Sequence, residues 1–257
     1  AIALTLSENE FCQELAMLKP ILLAAGAFAA GLTLFAHDAA AGPITVLNPS
    51  FESPALAAPG DSNGPGGGIT SWTTNSFGTS AAAGVWYLPD APYYTVNAPD
   101  GNQVAFIYSG TGATGGGSIT QTTSSLFQAN TNYTLSFYAG QLALTGGFTY
   151  PDTVDAILYE GSTSNVLATF PVTAPLSGPD SFQLDSFTFS AGINPYASGN
   201  IGIEFYSEGV ANSMATFDNV SLSASTAAAI PEPASLLFLG AGLIGFAIRR
   251  RRAKAPA

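Results

Sequence analysis

The chain has 257 residues, and its charges are distributed unevenly along it. All six basic residues, the one Cys and the one His lie near the two ends, whereas residues 42–228 contain twelve acidic residues and no Lys or Arg. This acidic middle segment excludes nucleic acid and anionic membrane surfaces as partners, because both require cationic groups, and it excludes thiolate and imidazole metal ligands.

The N-terminal region has the pattern of a secretory signal peptide over residues 17–41. A Met-Leu-Lys sequence opens this region, an apolar stretch follows from Pro20 to Phe35, and small residues then form a cleavage site with Ala39 and Ala41 at its key positions. We expect export with cleavage, and an uncleaved membrane anchor is the alternative. Residues 1–16 precede the methionine, and we interpret them as an upstream or mis-started segment.

The segment that follows, residues 42–228, predicts an all-β domain. Residues Gln103–Ser109 form an apolar run of the buried type, while Asn132–Ala139 and Thr153–Tyr159 alternate between apolar and polar positions. A further strand is predicted at Ala215–Leu222, and turn signals separate the runs. No helical period continues for ten residues. Many short strands at this spacing indicate a β-sandwich.

One predicted strand has an irregular pattern. Phe182 and Leu184 share one face of this strand, whereas Phe187 and Phe189 fall on the other face. A β-bulge inserts one extra residue and shifts the alternation in this way. We therefore predict a bulge near 185–186.

Two short motifs mark the ends of the domain. It opens with Leu47–Glu52 (LNPSFE) and closes with Phe217–Leu222 (FDNVSL), and Pro99–Gln103 (PDGNQ) precedes a buried strand. These motifs resemble those of the galactose-binding-like jelly roll found in many carbohydrate-binding modules, although Pro49 stands where Gly is common. The resemblance implies a jelly-roll β-sandwich whose first and last strands are neighbours.

The same resemblance implies a structural calcium ion. In related modules, carboxylates at the positions of Glu52 and Asp218 ligate calcium, which prefers hard oxygen ligands. Without a metal or a proton between them, two carboxylates placed close together repel each other. The alternative is that both are solvated carboxylates on separate edges.

Aromatic residues are concentrated between residues 69 and 96 of the domain. Their flat rings are suited to stack on sugar faces, and the alternative is that they fill the core, because large aromatics dominate burial. The candidate carbohydrate-binding residues are Trp72, Trp86, Tyr87, Tyr93 and Tyr94.

The C-terminal region, residues 229–257, combines a Pro-Glu-Pro triplet, an apolar run and an arginine cluster. The apolar run 234–248 predicts a transmembrane helix that is shorter than the roughly 20 residues usually needed. The arginines place its C-terminal end in the cytoplasm, and they disfavour a buried core helix. The motif residues are Pro231, Glu232, Pro233, Arg249, Arg250, Arg251 and Arg252.

This tripartite tail resembles the PEP-CTERM sorting signal. The resemblance implies recognition by an exosortase-type membrane peptidase, cleavage near the triplet, and a host that makes exopolysaccharide. We therefore expect an exported protein that is anchored in the inner membrane by helix 234–248. After processing it would lie at the cell surface or in the extracellular matrix.

The function predicted for the domain is non-catalytic carbohydrate binding, with a neutral polysaccharide as partner. Ser-His-Asp and Cys-His catalysis is excluded, because residues 42–228 contain no His or Cys. Glycoside hydrolysis needs only two carboxylates. Asp152 and Asp155 are disfavoured as that pair, because positions three apart on a strand face opposite sides. The alternatives are a purely structural surface or matrix protein and, less favoured, a carboxylate-dependent glycoside hydrolase.

Overall fold

The computed structural model describes residues 42–64, 67–78, 80–110, 115–143, 147–192, 199–209 and 211–226. The upstream segment 1–16, the signal peptide 17–41 with its cleavage residues, and the sorting tail 229–257 with its helix 234–248 lie outside these described residues.

In the described ranges, no helix combines the length and the apolar character that crossing a membrane requires.

Regular structure in the described ranges consists of strands. They are β1 (Gly42–Ile44), β2 (Thr73–Phe77), β3 (Ala82–Tyr87), β4 (Gln103–Ser109), β5 (Gly115–Leu126), β6 (Thr131–Gln141), β7 (Thr153–Glu160), β8 (Ser162–Pro171), β9 (Ser181–Ser190), β10 (Asn200–Gly209) and β11 (Ser213–Thr226).

The strands form two antiparallel sheets. One has six strands in the order β3-β4-β11-β6-β9 with β1 also paired to β11, and the other has five in the order β2-β5-β10-β7-β8. Gly42 lies opposite Ala224, so the first and last strands are neighbours. The predicted jelly-roll β-sandwich is therefore confirmed.

The core lies between the two sheets, where alternate residues of each strand point inward. On β10, Ile201, Ile203 and Phe205 are fully buried. They meet Phe137 and Phe217 from the six-stranded sheet, and the ring centroids of Phe205 and Phe217 lie 4.5 Å apart. This packing fixes which face of each strand is left to carry a site.

The bulge predicted in β9 is wrong. The β6–β9 pairing continues from Asn132 opposite Ser190 to Gln141 opposite Ser181 without a register shift. The alternation changes because β9 is covered on both faces at this end. Phe187 packs in the core, whereas Phe182 packs in a second cluster outside it and stacks on Tyr94 with centroids 5.2 Å apart.

Candidate functional site

The outer face of the six-stranded sheet carries a second hydrophobic cluster, separate from the core. Strand β4 explains it, because Val104 and Phe106 join this outer cluster while Ala105 and Ile107 join the core. A strand that is apolar on both faces must be covered on both faces. The buried members of the outer cluster are Ala82, Trp86, Leu88, Tyr94, Ala98, Val104, Phe106, Leu142 and Met214.

A pocket of about 240 Å³ opens in this cluster. Its apolar walls include Trp86, Tyr93, Phe106, Phe148 and Met214, and its polar lining includes Ser62 and Asp90. Ligand sites in proteins are typically concave and largely apolar, with a few placed polar groups. This pocket has that character.

Three rings of the pocket are held at steep angles to one another. The centroids of Trp86 and Tyr93 lie 6.0 Å apart with ring planes at 57°, and those of Tyr93 and Phe148 lie 5.5 Å apart at 87°. The indole Nε1 of Trp86 donates to Asp90 Oδ2 at 3.1 Å. The rings therefore form a partly rigid box rather than a flat surface.

A closed loop positions Asp90 and Tyr93. The backbone N–H of Asp90 donates to Tyr94 O at 2.9 Å, and the Tyr94 N–H donates back to Asp90 O at 2.8 Å. Tyr94 is fully buried, and its hydroxyl lies 2.8 Å from Thr216 Oγ1 on β11. Burial raises the pKa of Tyr94 far above its usual value. Tyr94 therefore anchors the loop, and the neighbouring Tyr93 is left to line the pocket.

The five aromatic residues predicted as sugar-stacking residues do not form one exposed platform. Trp72 lies in the core between the sheets, where its Nε1 donates to Leu47 O at 3.0 Å. Tyr87 is half-buried and does not line the pocket, and Tyr94 is buried. Only Trp86 and Tyr93 come together in the pocket.

A separate acidic turn lies where the opening and closing motifs meet. Asn219 in β11 has φ of 47° beside a register shift, a backbone state that Asn tolerates better than most residues. The next N–H, that of Val220, donates to Pro49 O at 3.0 Å. This bulge therefore ties the last strand to the first motif and places Asp218 beside the turn that contains Asp100.

Backbone donors hold the two predicted calcium ligands on this turn. Glu52 Oε1 accepts from the N–H groups of Asn102 and Gln103, each at 2.7 Å. Asp218 Oδ2 accepts from the N–H of Asp100 at 2.8 Å. Gly101 between them has φ of 73°, and a Cβ there would collide with Glu52. The structure thus brings both predicted residues to one turn.

The electrostatics of this turn centre on Asp218. Its side chain is fully buried, and burial raises its pKa to about 8. Hydrogen bonds from the backbone oppose this shift, whereas the nearby charges of Asp100 and Glu52 add to it. The oxygen donors suit calcium in kind. Yet the described residues hold no group of three or more His, Cys, Asp or Glu arranged around a metal, so backbone carbonyls and water would have to complete the ligand set.

Asp152 and Asp155 lie on one groove, so the expectation that they face opposite sides is wrong. Asp152 precedes β7, so strand alternation does not apply to it, and both residues line one groove of about 470 Å³ together with Tyr150 and Pro171. Burial raises the pKa of Asp155.

Several pocket residues were missed at the sequence level, among them Phe106, Phe148 and Met214. One signal could have found the first: the buried-type run of β4 is apolar at every position from 104 to 107. Such a run indicates cover on both faces of a strand, and hence an apolar cluster outside the core. Phe148 lies in a loop whose position no local pattern predicts.

Comparisons with known proteins agree with this fold. The model of the HpiC1-like family, described as HpiC1 cyclase, matches residues 42–223, and that of the PEP-CTERM protein-sorting motif matches residues 229–252. No curated protein matches the chain significantly. The sorting motif implies export, anchoring in the membrane before processing, and processing by exosortase, a membrane protease.

Among solved structures, the Stig cyclase Fisc from Fischerella sp. TAU in complex with (3Z)-3-(1-methyl-2-pyrrolidinylidene)-3H-indole is 26% identical, with a TM-score of 0.60 over 73% of this chain and 100% of that chain. A cyclase from Fischerella sp. TAU in complex with 4-(1H-indol-3-yl)butan-2-one is 25% identical, with a TM-score of 0.57 over 72% and 98%. The carbohydrate-binding module TmCBM61 in complex with β-1,4-galactotriose is 14% identical, with a TM-score of 0.44 over 70% and 97%, which is too low to support an argument.

The family is named after a cyclase, so it does not favour the prediction of a non-catalytic domain, which stays a prediction. The family match covers both motifs at the ends of the domain and every strand of the sandwich from the first to nearly the end of the last. The chain belongs to the HpiC1-like family, and it carries a C-terminal PEP-CTERM sorting motif.

Proposed function

We propose that this exported protein is a non-catalytic binding module whose outer-face pocket takes one ring of a neutral glycan. The observation that carries the proposal is the box formed by Trp86, Tyr93 and Phe148, with Asp90 and Ser62 beside it. Aromatic faces pack against the apolar faces of sugar rings, and side-chain oxygens accept hydrogen bonds from hydroxyl groups.

Charge narrows the class of glycan. Residues 42–228 contain no Lys or Arg, so charge-assisted hydrogen bonds to uronate or sulfate groups are not available. Neutral sugars are therefore favoured, and a neutral polysaccharide of the cell's own matrix fits an exported protein. A purely structural matrix role is the alternative, and it requires no ligand in the pocket.

Substituting the rings of the pocket tests this proposal. Trp86→Ala and, separately, Tyr93→Ala should each weaken binding to a neutral oligosaccharide by about tenfold, which corresponds to about 1.4 kcal/mol for a lost stacking contact. The measurement is a glycan array followed by calorimetric titration with the best neutral ligand. Release of reducing ends, measured in the same samples, would reveal hydrolysis and contradict the non-catalytic assignment.

The matched control is Val166→Ala, which removes an exposed side chain from strand β8 of the opposite sheet and should leave this binding unchanged. Because Trp86 is buried, its variant is compared with the parent by thermal melting. Tyr93 is only half-buried and serves as the second variant. The absence of binding to any neutral glycan would favour the structural matrix role instead.

A second candidate function is binding or cyclisation of a small aromatic molecule. The relatives described above were solved with indole-bearing compounds, and the pocket here is lined by aromatic rings. Among the residues that line it, Asp90 is the one ionisable carboxyl group, and it already accepts from Trp86. Titration with 4-(1H-indol-3-yl)butan-2-one, followed by fluorescence and product analysis, distinguishes this candidate from glycan binding.

We also propose that Glu52 and Asp218 hold a structural calcium ion. A ligand that binds only the folded state stabilises it by RT ln(1 + [L]/Kd), or about 2.7 kcal/mol when the concentration is a hundred times Kd. The melting temperature should rise with calcium and fall with chelator, and Glu52→Gln should remove that difference. Asp61→Asn, a change at an exposed acid elsewhere, should keep it. Equal melting curves with calcium and chelator would rule out the ion.

A further inference from the structure

The outer face of the five-stranded sheet carries a second group of functional side chains. On β10 the residues Ile203 and Phe205 point into the core, so Glu204, Tyr206 and Glu208 point to the opposite side. This face lies on the other sheet from the pocket described above. We call the group formed by Phe77, Asp155, Glu204, Tyr206 and Glu208 the acidic aromatic face.

Two rings of this face are accessible. The centroids of Phe77 and Tyr206 lie 6.0 Å apart with ring planes at 37°, and the side chain of Phe77 is 44% exposed. The strand between β2 and β10 contributes Gly116 opposite both Phe77 and Glu208. Because glycine has no side chain, nothing from that position covers the rings.

Three carboxylates surround Tyr206. Asp155 lies opposite Tyr206 in the β7–β10 register, while Glu204 and Glu208 are two residues away on either side of it. The Tyr206 hydroxyl donates to Glu208 Oε2 at 2.5 Å. No Lys or Arg is present in the described residues to neutralise these groups.

The pKa of Tyr206 reflects this concentration of negative charge. The hydrogen bond to Glu208, burial and the charges of Glu208, Asp155 and Glu204 together raise the pKa of Tyr206 to about 12. Burial raises the pKa of Asp155 and of Glu204 above their usual values. A cation beside these two carboxyl groups would therefore favour their ionised form.

We propose that the acidic aromatic face binds the protonated amines of an amine-bearing glycan, such as a polymer of deacetylated hexosamines. An ammonium group over an aromatic ring gains a cation–π interaction, and the flanking carboxylates accept its charge-assisted hydrogen bonds. This inference concerns a different sheet and a different ligand chemistry from the pocket, and it does not rest on the proposed function.

The chemistry of the face favours a glycan over a basic peptide. Its rings are flat and accessible, and Asn75 and Thr120 beside them offer amide and hydroxyl groups for sugar hydroxyls. The side chain of Phe77 is exposed, so a ligand can reach this ring from the solvent. The sorting motif places the protein outside the cytoplasm, where such polymers occur.

The test compares two chito-oligosaccharides of equal length, one fully deacetylated and one fully N-acetylated, by calorimetry at about pH 5.5, because the ring oxygens of a hexosamine hold the pKa of its amine well below that of lysine. We expect the deacetylated oligosaccharide to bind and the acetylated one to bind at least about tenfold more weakly. The double variant Glu204→Gln/Glu208→Gln should lose about tenfold in affinity for the deacetylated form. Equal affinities for the two oligosaccharides would overturn the proposal.

The matched control is Asp61→Asn/Asp180→Asn, which changes the net charge by the same amount away from this face and should alter affinity less than about twofold. An equal loss in both double variants would indicate attraction by net charge alone and overturn the assigned site. Oligolysine of equal charge should bind at least about tenfold more weakly than the deacetylated oligosaccharide, because it offers ammonium groups but no sugar ring to pack on Phe77 and Tyr206. Equal or tighter binding of oligolysine would assign the face to a basic peptide instead. Saturating the outer-face pocket with its best neutral ligand should leave this binding intact, which separates the outcome from that of the pocket.

Discussion

Phe205→Ala should lower the free energy of unfolding by about 3–5 kcal/mol, the usual cost of deleting a fully buried phenylalanine ring. Phe205 lies at the meeting point of the two sheets. Its ring stacks on Phe217 at 4.5 Å and contacts the edge of Phe137 at 4.8 Å between centroids. The alanine would leave a cavity between sheets whose backbones are fixed by hydrogen bonds, so little of the lost packing can be recovered.

For a domain of this size, such a loss lowers the melting temperature by about 6–20 °C. Differential scanning calorimetry measures it directly. Phe77→Ala is the matched control, because Phe77 belongs to the same sheet but faces outward and is 44% exposed. If both substitutions cost the same, Phe205 does not hold the sheets together and the arrangement of the core is wrong.

In the presence of chelator, the protein should become less stable as the pH rises from about 4 to about 8. Asp218 has a folded-state pKa of about 8, whereas an unfolded Asp titrates near 3.9. Between these values the folded state binds more protons than the unfolded state, so stability falls with pH by up to about 1.4 kcal/mol per unit for one proton. Burial also raises the pKa of Asp155, Asp185 and Glu204, so these groups too make the protein less stable as the pH rises.

Asp218→Asn should flatten this slope, because the amide does not titrate. Its absolute stability should also fall, since an amide cannot accept both backbone N–H bonds that the two carboxyl oxygens accept. Asp61→Asn should leave the slope unchanged. Chemical denaturation at pH 5, 6, 7 and 8 supplies the data. A flat profile in the parent protein, or an unchanged slope in the Asp218 variant, would show that Asp218 is ionised in the folded state.

Calcium should act against this slope. A bound cation beside Asp218 favours its charged form and lowers its pKa, so added calcium should stabilise the protein more at pH 8 than at pH 5. The pH profile and the calcium experiment therefore both report on the charge of Asp218, one through its proton and the other through a bound ion. If calcium stabilises the protein more at pH 8 than at pH 5, a metal ion can replace the proton on Asp218. If calcium has no effect at either pH, the proton alone relieves the repulsion between Asp218 and Glu52.

Local patterns in the sequence determined the fold class and the sorting of this protein. Alternation in β6 and β7 predicted strands because side chains two apart share a face, and the family and sheet order agree with that prediction. The terminal tail was recognisable because its triplet, apolar run and arginines are contiguous. The proximity of Glu52 and Asp218 was also predictable, because the resemblance implied that the first and last strands are neighbours.

The tertiary structure alone decided which aromatic residues share a site. Trp72 and Trp86 are close in sequence, but one is buried between the sheets and the other lines a pocket outside them. Phe77 and Tyr206 are distant in sequence and become neighbours only through the register of β2, β5 and β10. Alternation assigns residues to two faces of a strand, but it does not say which face will be covered. That depends on the order of strands in the sheets and on the loops that pack against them, which arise from contacts between residues far apart in the chain.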